Sequence, residues 1–312
     1  MKHIIINIVF VGIFLTAFEN LAQQYPMYTQ YYNNLSLLNP AYAGSHKTLT
    51  GIINIRSQWV NEIGAPETKT FSLHTPTGKN IGLGLSIVKD EIYVLDETHV
   101  YADFSYSIYP SERSILAFGL KAGGTFLNVD LLKLGITEDP LFTQNISEFN
   151  PNFAVGAFFY TNNFYTSLSI TNILQHKNYN RKSYVVTSAS EEMVFYLSSG
   201  YVFSLSETVK LKPSFMLRMM NETSTSTDIA ANVLWNNKLE FGISHRINES
   251  ISGLFQIKVT NNLKFGYSYD AVTTKISKNK NASHEFSIIL NLQKNTRSYK
   301  EDISAPFYWM NN

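Results

Sequence analysis

Lys238-Leu239-Glu240-Phe241-Gly242-Ile243-Ser244 decides the fold. Leu239, Phe241 and Ile243 point to one side of an extended chain, and Lys238, Glu240, Gly242 and Ser244 to the other. Successive strand side chains face opposite sides of a sheet, so a period of two gives one apolar and one polar face. The same alternation recurs from Lys47 to Lys294, divided each time by turn residues. It predicts fourteen strands, near 47–58, 67–76, 80–90, 97–109, 113–129, 151–161, 164–173, 192–205, 208–220, 226–236, 238–247, 250–260, 262–274 and 283–293. An even count lets an up-and-down antiparallel sheet close into a barrel of the outer-membrane kind.

The connections give an independent reading. Alternate ones are short and rich in Gly, Pro, Asn and Ser: Thr77-Gly78-Lys79, Pro110-Ser111-Glu112, Asn162-Asn163, Ser206-Glu207, Asn237 and Asn261. Such residues make tight turns. The others, 59–66, 91–96, 130–150, 174–191, 221–225 and 275–282, are longer, and only 248–249 is brief. Short periplasmic turns alternating with longer outer loops are the pattern of an outer-membrane barrel. A soluble sandwich has no reason to sort its loops by parity.

Composition agrees. Charged residues make up 16% of the 312 residues and aromatics 14%. Soluble domains carry about 25% charge. After the N-terminus no apolar run is long enough for a spanning helix. A net charge of +1 provides no field for nucleic acid. The absence of cysteine excludes thiolate metal sites, disulfides and thiol catalysis.

Parity also assigns the faces. On the last strand Phe286, Ile288, Leu290 and Leu292 are expected to meet lipid, and Glu285, Ser287 and Asn291 the lumen. On the ninth, Val209, Leu211, Phe215 and Leu217 point out and Lys210, Lys212 and Arg218 point in. Asp103, Asp228, Glu240, Lys264 and Asp270 also fall on lumen faces. A charge facing lipid near the midplane costs about 2–4 kcal/mol, which supports the inward assignment. Both signs inside predict internal ion pairs and a partly filled lumen.

The ends are read separately. Lys2 and His3, the apolar run from Ile4 to Ala17 and the small Ala22 form a secretory signal, with cleavage expected after Ala22. Residues 23–46 form an N-terminal periplasmic segment with no Asp, Glu, Lys or Arg. Met27, Tyr31, Leu35 and Leu38 recur there at helical spacing, and Asn39-Pro40 is expected to end the helix. Such a helix would plug the periplasmic mouth or lie along the membrane interface; an extended tether is the alternative. Residues 47–294 form the barrel and 295–312 a periplasmic tail.

No motif points to catalysis or to a bound cofactor. The seven histidines lack metal-site spacing. Ser72 and His74 share a strand face without a third partner. His284 and Glu285 point to opposite faces. Gly82-Leu83-Gly84 sits within a strand pattern, where glycines ease a bend. The best candidate for a working surface is the loop 59–67, with Trp59 and the rigid Gly64-Ala65-Pro66; Trp59 could equally be an interfacial girdle residue. Phe307, Tyr308 and Trp309 make the tail a second candidate contact.

Several ordered blocks then stand out. They are Asn39-Pro40-Ala41-Tyr42-Ala43-Gly44; Arg56 with Gln58-Trp59; Gly64-Ala65-Pro66 with Thr68 and Thr70; Gly82-Leu83-Gly84; and Asp90. Further along come Tyr101 with Asp103, Phe118-Gly119-Leu120-Lys121-Ala122-Gly123, Pro151-Asn152-Phe153, and Gly200-Tyr201-Val202-Phe203. Leu211-Lys212-Pro213-Ser214-Phe215, Tyr267-Ser268-Tyr269-Asp270 and Ser283-His284-Glu285-Phe286 complete the series. Together they resemble the PorP/SprF family of type IX secretion system membrane proteins of Bacteroidota. The tail beyond Asn295 departs from that pattern. The resemblance implies a non-enzymatic outer-membrane barrel without cofactor. Its expected partners are outer-membrane lipid, type IX secretion components and a secreted or surface-anchored protein, such as a gliding-associated adhesin or other cargo. A transporter barrel for a small or hydrophobic solute is the alternative, with the N-terminal helix as its hatch.

Overall fold

Alternating residues leave a strand no way to bury both faces, and this chain solves the problem by closing a single sheet on itself. The structure, a computed structural model, describes residues 28–46, 48–78, 80–136, 139, 142–174, 192–220, 225–273 and 282–292. The strands are β1 Leu49–Ser57, β2 Glu67–Pro76, β3 Ile81–Ile92, β4 Leu95–Ser111, β5 Ser114–Val129, β6 Ile146–Tyr160 and β7 Phe164–Thr171. β8 runs over Val194–Tyr201, breaks at Val202 and resumes at Phe203–Ser204. β9 Val209–Met220, β10 Ser226–Trp235, β11 Leu239–Arg246, β12 Ser250–Lys258, β13 Leu263–Val272 and β14 Ser283–Leu292 follow. Each pairs antiparallel with its sequence neighbours, and β1 pairs with β14 from Leu49↔Leu292 to Ser57↔His284. The expected closed fourteen-stranded antiparallel barrel is the observed one.

The faces fall as parity requires. Glu285, Ser287 and Asn291 are buried, while Phe286, Leu290 and Leu292 are exposed on the outer wall. Lys212, Arg218, Asp103, Asp228, Glu240, Lys264 and Asp270 all point inward and are buried. Among the described residues the interior is thus polar and the lipid side apolar. The outer apolar band has a sharp upper edge on β2–β4. Above Phe71, Ile87 and Val100 stand Lys69, Lys89 and Thr98, in register across the three strands. There the outer wall turns ionic: Lys69 lies 3.0 Å from Glu67, and Lys89 lies 2.9 Å from Glu91 and 3.1 Å from Asp96.

Strand lengths differ around the wall. About 9–11 residues cross a membrane, yet β4, β5 and β6 have 17, 16 and 15. They rise past the band at the long-loop end. There Leu127, Val129 and Leu131 form a small apolar cluster with Val94, Leu95, Leu134, Phe142 and Ile146.

Three expectations are corrected. The connection 91–96 is not a loop: β3 and β4 continue to a two-residue turn at Tyr93 and Val94, with Tyr93 at φ 54°. β6 starts at Ile146 and runs through Pro151, which pairs with Gly124. Residues 31–42 are not one amphipathic helix. They form three 3-10 turns, Tyr31–Asn33, Leu35–Leu37 and Pro40–Tyr42. Asn39-Pro40 does not end a helix but starts the third turn, where the Asn39 side chain accepts from the Ala41 N–H and proline takes the first position.

Candidate functional site

The uncharged segment 28–46 lies inside the barrel. Its beginning sits at the long-loop end, where β1, β13 and β14 converge. Glu285 of β14 takes two backbone N–H groups of the segment, Thr29 at 2.8 Å and Gln30 at 3.1 Å. The same carboxylate accepts from Asn54 Nδ2 at 2.8 Å and Arg56 Nη1 at 3.1 Å. Arg56 also pairs with Asp270, to which Thr29 Oγ1 donates. Gln30 Oε1 accepts from Ser287 Oγ at 2.7 Å. A carboxylate fully removed from water is stable only when paired and hydrogen-bonded, and Glu285 has four donors.

The middle of the segment is held by carbonyls and side chains of β5–β7. Lys121 Nζ sits 3.3 Å from Asp103 and donates to the Ser36 carbonyl at 2.9 Å. Asn39 Nδ2 donates to the Ala157 carbonyl at 2.9 Å and to Ser167 Oγ at 2.7 Å. Beyond it the backbone presses on glycines of the wall. A Cβ on Gly119 would lie 2.1 Å from Ala41 N, one on Gly82 2.1 Å from the Ala43 carbonyl oxygen, and one on Gly156 2.0 Å from Asn39 Oδ1. Gly82 therefore clears room for the segment rather than bending the wall, which corrects the sequence reading. Ala41 and Tyr42 are fully buried.

At the tight-turn end the segment closes on aromatics. Tyr42 OH is 2.7 Å from His46 Nε2, and His46 Nδ1 is 2.9 Å from Thr50 Oγ1. The His46 and His74 rings lie 4.6 Å apart. The segment thus fills the lumen lengthwise, from Thr29 at one end to His46 at the other. Two further pairs of wall charges face each other, Arg246 Nε with Asp228 at 2.7 Å and Lys212 with Glu240 at 3.8 Å. Lys212 Nζ also stands 4.6 Å from the centre of the Tyr32 ring.

Ser72 and His74 share the lumen face as expected, but Ser72 Oγ donates to Asn34 Oδ1 at 2.9 Å and so serves the segment. Among the described residues no three His, Cys, Asp or Glu side chains group as a metal site. His284 is half-buried on the outer side while Glu285 faces in, as the alternation requires.

The loop 58–66 folds back on the wall. The Trp59 N–H donates to Ser283 Oγ at 3.3 Å, Val60 N–H to the Ala282 carbonyl at 3.0 Å, and Gln58 N–H to the Pro66 carbonyl at 3.0 Å. Gly64 has φ +75°, and a Cβ there would strike the Tyr93 ring. Trp59, Gly64, Ala65 and Pro66 therefore come together, all half-buried. The exposed tip is Ile63, at 96%. Sequence reading passed over it, because an isolated apolar residue in a loop carries no pattern. Phe307, Tyr308 and Trp309 lie outside the described residues, as do the expected cleavage site and Met27.

The segment and the wall residues that hold it coincide with the quoted blocks: Asn39 to Gly44, Arg56, Gly82, Asp103, Gly119, Lys121, Asp270 and Glu285. The family model of type IX secretion system membrane protein PorP/SprF matches residues 20–290. The chain belongs to the PorP/SprF family. No curated protein matches it in sequence. Among solved structures it is similar to the CymD monoaromatic hydrocarbon channel, with 11% identity, TM-score 0.49, and coverage of 88% of this chain and 96% of that one. It is also similar to Omp33 of Acinetobacter baumannii, with 9% identity, TM-score 0.48, and 79% and 99% coverage. The toluene transporter TodX of Pseudomonas putida follows, at 8% identity, TM-score 0.46, and 82% and 92% coverage. Family membership makes the chain a type IX secretion system membrane protein, and its own strands supply the outer-membrane barrel.

Proposed function

We propose that this PorP/SprF barrel docks or anchors a secreted or surface partner of the type IX machinery, and that it does so with its long-loop end rather than through its lumen. The observation that carries this reading is the occupied lumen. Segment 28–46 is bonded to β1, β5, β6, β7, β13 and β14 at once. A wall stoppered along its length works through the surfaces left free. Those are the raised β4–β6 rim, the loop bearing Trp59 and Gly64-Ala65-Pro66, and its apolar tip Ile63. Pro66 and the backbone bonds to Ser283 and Ala282 stiffen this loop, and a stiff apolar tip loses little entropy on binding. The transporter reading requires the whole segment to leave, which no observation favours.

The test is genetic and biochemical. Deleting the gene is expected to change the secreted and surface proteome, and Ile63→Asp to weaken co-purification of the affected protein with tagged barrel by about tenfold or more. Unchanged proteomes, together with no co-purifying secretion component, would sink the docking reading. The carboxyl-terminal Phe307, Tyr308 and Trp309 are proposed as a periplasmic contact, tested by truncation after residue 294 in the same assay.

A further inference from the structure

The loop that carries Ile63 and the upper end of segment 28–46 share one corner of the barrel. β1 and β14 pair up to Ser57↔His284, and Arg56↔Glu285 stands directly below. β13 and β14 pair up to Asp270↔Ser283. The loop continues the β1–β14 seam past its last rung, with the Trp59 N–H donating to Ser283 Oγ and the Val60 N–H to the Ala282 carbonyl. Arg56 Nη1 reaches Asp270, Glu285 at 3.1 Å and Thr29 Oγ1 at 3.0 Å. On either strand the tie to the loop thus sits just above a residue that holds the segment: Trp59 above Arg56, and Ser283 above Glu285.

The loop is strained where it is tied. Trp59 has φ 43° and Asn61 φ 82°. This is the left-handed region, which a bulky residue such as tryptophan enters only at a cost. Such backbone persists while its surroundings hold it. Without the two bonds to β14, Trp59 is free to relax to negative φ, so the loop has a second, lifted arrangement with less strain. Its shape is kept by bonds of its own. The Gln58 N–H donates to the Pro66 carbonyl at 3.0 Å, Glu62 N–H to the Trp59 carbonyl at 3.1 Å, and Ala65 N–H to the Glu62 carbonyl at 3.3 Å. A pull on Ile63 is therefore carried to Trp59 and Val60 rather than absorbed in the tip. Element ends open before their middles, and the next rungs in line are Ser57↔His284 and Arg56↔Glu285. Opening them draws Glu285 away from Arg56 and Asn54, two of its four donors, and with it the acceptor of the Thr29 and Gln30 amides.

We propose that loop 58–66 is a trigger for the lumen segment: a partner that takes Ile63 lifts the loop off β14, frays the top of the β1–β14 seam and loosens Thr29 and Gln30 from Glu285. The partner's part in this rests on the docking reading; the coupling is a property of the barrel alone. A ligand shifts an equilibrium only by binding one state better. The lifted loop offers the half-buried Trp59 ring in addition to the exposed Ile63, and that is the difference a partner reads. Linkage is reciprocal, so loosening the segment makes the loop easier to lift.

The test uses the full mature chain in detergent micelles, without partner, and reads amide hydrogen exchange at Thr29–Gln30 and at Trp59–Val60. Ser283→Ala, which removes the acceptor of the Trp59 N–H, is expected to speed exchange at both places by about tenfold. Thr29→Val removes the hydroxyl between Arg56 and Asp270, and is expected to speed exchange of Trp59 and Val60 in a loop it does not touch. The chain has no cysteine, so Val60→Cys with Ala282→Cys makes a single bridge. Its oxidised form is expected to exchange Thr29 and Gln30 more slowly than its reduced form. Heat-dependent gel mobility reports whether each variant keeps its barrel. Faster exchange confined to the loop in Ser283→Ala, or to Thr29–Gln30 in Thr29→Val, overturns the coupling. So does a bridged loop that leaves Thr29 and Gln30 unchanged, or Ser283→Ala indistinguishable from the unsubstituted chain. Failure of the docking reading shows elsewhere, as the absence of any co-purifying secretion component, and leaves the exchange results standing.

Discussion

Gly119 and Glu285 define the two ways in which single residues hold the lumen shut. Gly119 acts by omission, since any Cβ would displace the backbone of Ala41. Gly119→Val is therefore expected to leave the wall closed but unseat the segment, costing about 1–3 kcal/mol in a thermal or denaturant melt. Glu285 acts by addition. Its carboxylate gathers two segment N–H groups and two wall side chains. Arg56→Ala would leave Glu285 and Asp270 buried together without their cation, and the loss is expected to be about 3–5 kcal/mol, measured by the same melt. The sequence showed that Glu285 and Arg56 face inward, because parity is a local property. It did not show that they hold the N-terminal segment, which for Glu285 lies 256 residues away in the chain. Gly82 was misread for the same reason: a glycine in a strand pattern looks alike whether it bends a wall or makes room for a neighbour.

At the scale of elements, the strands were legible and the segment was not. The alternation of β11 is complete within its eight residues, and the tight turns carry their own residue types. The β10–β11 turn even uses two successive asparagines at φ 52° and 51°, as a hairpin with a right-handed twist requires. Segment 31–42 has a helical apolar spacing, but spacing predicts a helix only when one side packs and the other meets water. Inside a lumen every side meets the wall, and the chain follows the shape of its container in three tight turns. Pro151 hid the first five residues of β6 in a similar way, because proline ordinarily marks a strand's edge. The element acts as a stopper, so removing residues 28–46 is expected to turn a barrel that is silent in planar bilayers into one with steady ion conductance. Asn39→Ala, which removes a turn cap and three wall bonds, is expected to give flickering conductance and a melt lowered by about 1–2 kcal/mol. A conducting unsubstituted barrel would refute the stopper.

For the whole molecule, the barrel should run faster on a gel before boiling than after, and its spectrum in detergent should be that of β-sheet. The docking reading belongs to this scale as well. It draws on the uneven height of the wall, tall at β4–β6 and low at β7, β11 and β12, which gives the long-loop end a raised rim. The order of assembly follows from where the segment is tied. The bond from Thr29 to Glu285 spans 256 residues. Glu285 lies on β14, the same strand that meets β1 to complete the sheet. The Thr29 and Gln30 amides therefore have no acceptor until the last strand arrives, and a seam zipped over an absent occupant leaves Glu285 without two of its four donors. Loop closure over such distances is slow. Refolding from urea into micelles should then show one late phase in which the gel shift and the protection of the Thr29 and Gln30 amides appear together, so that this barrel is sealed and filled in a single step.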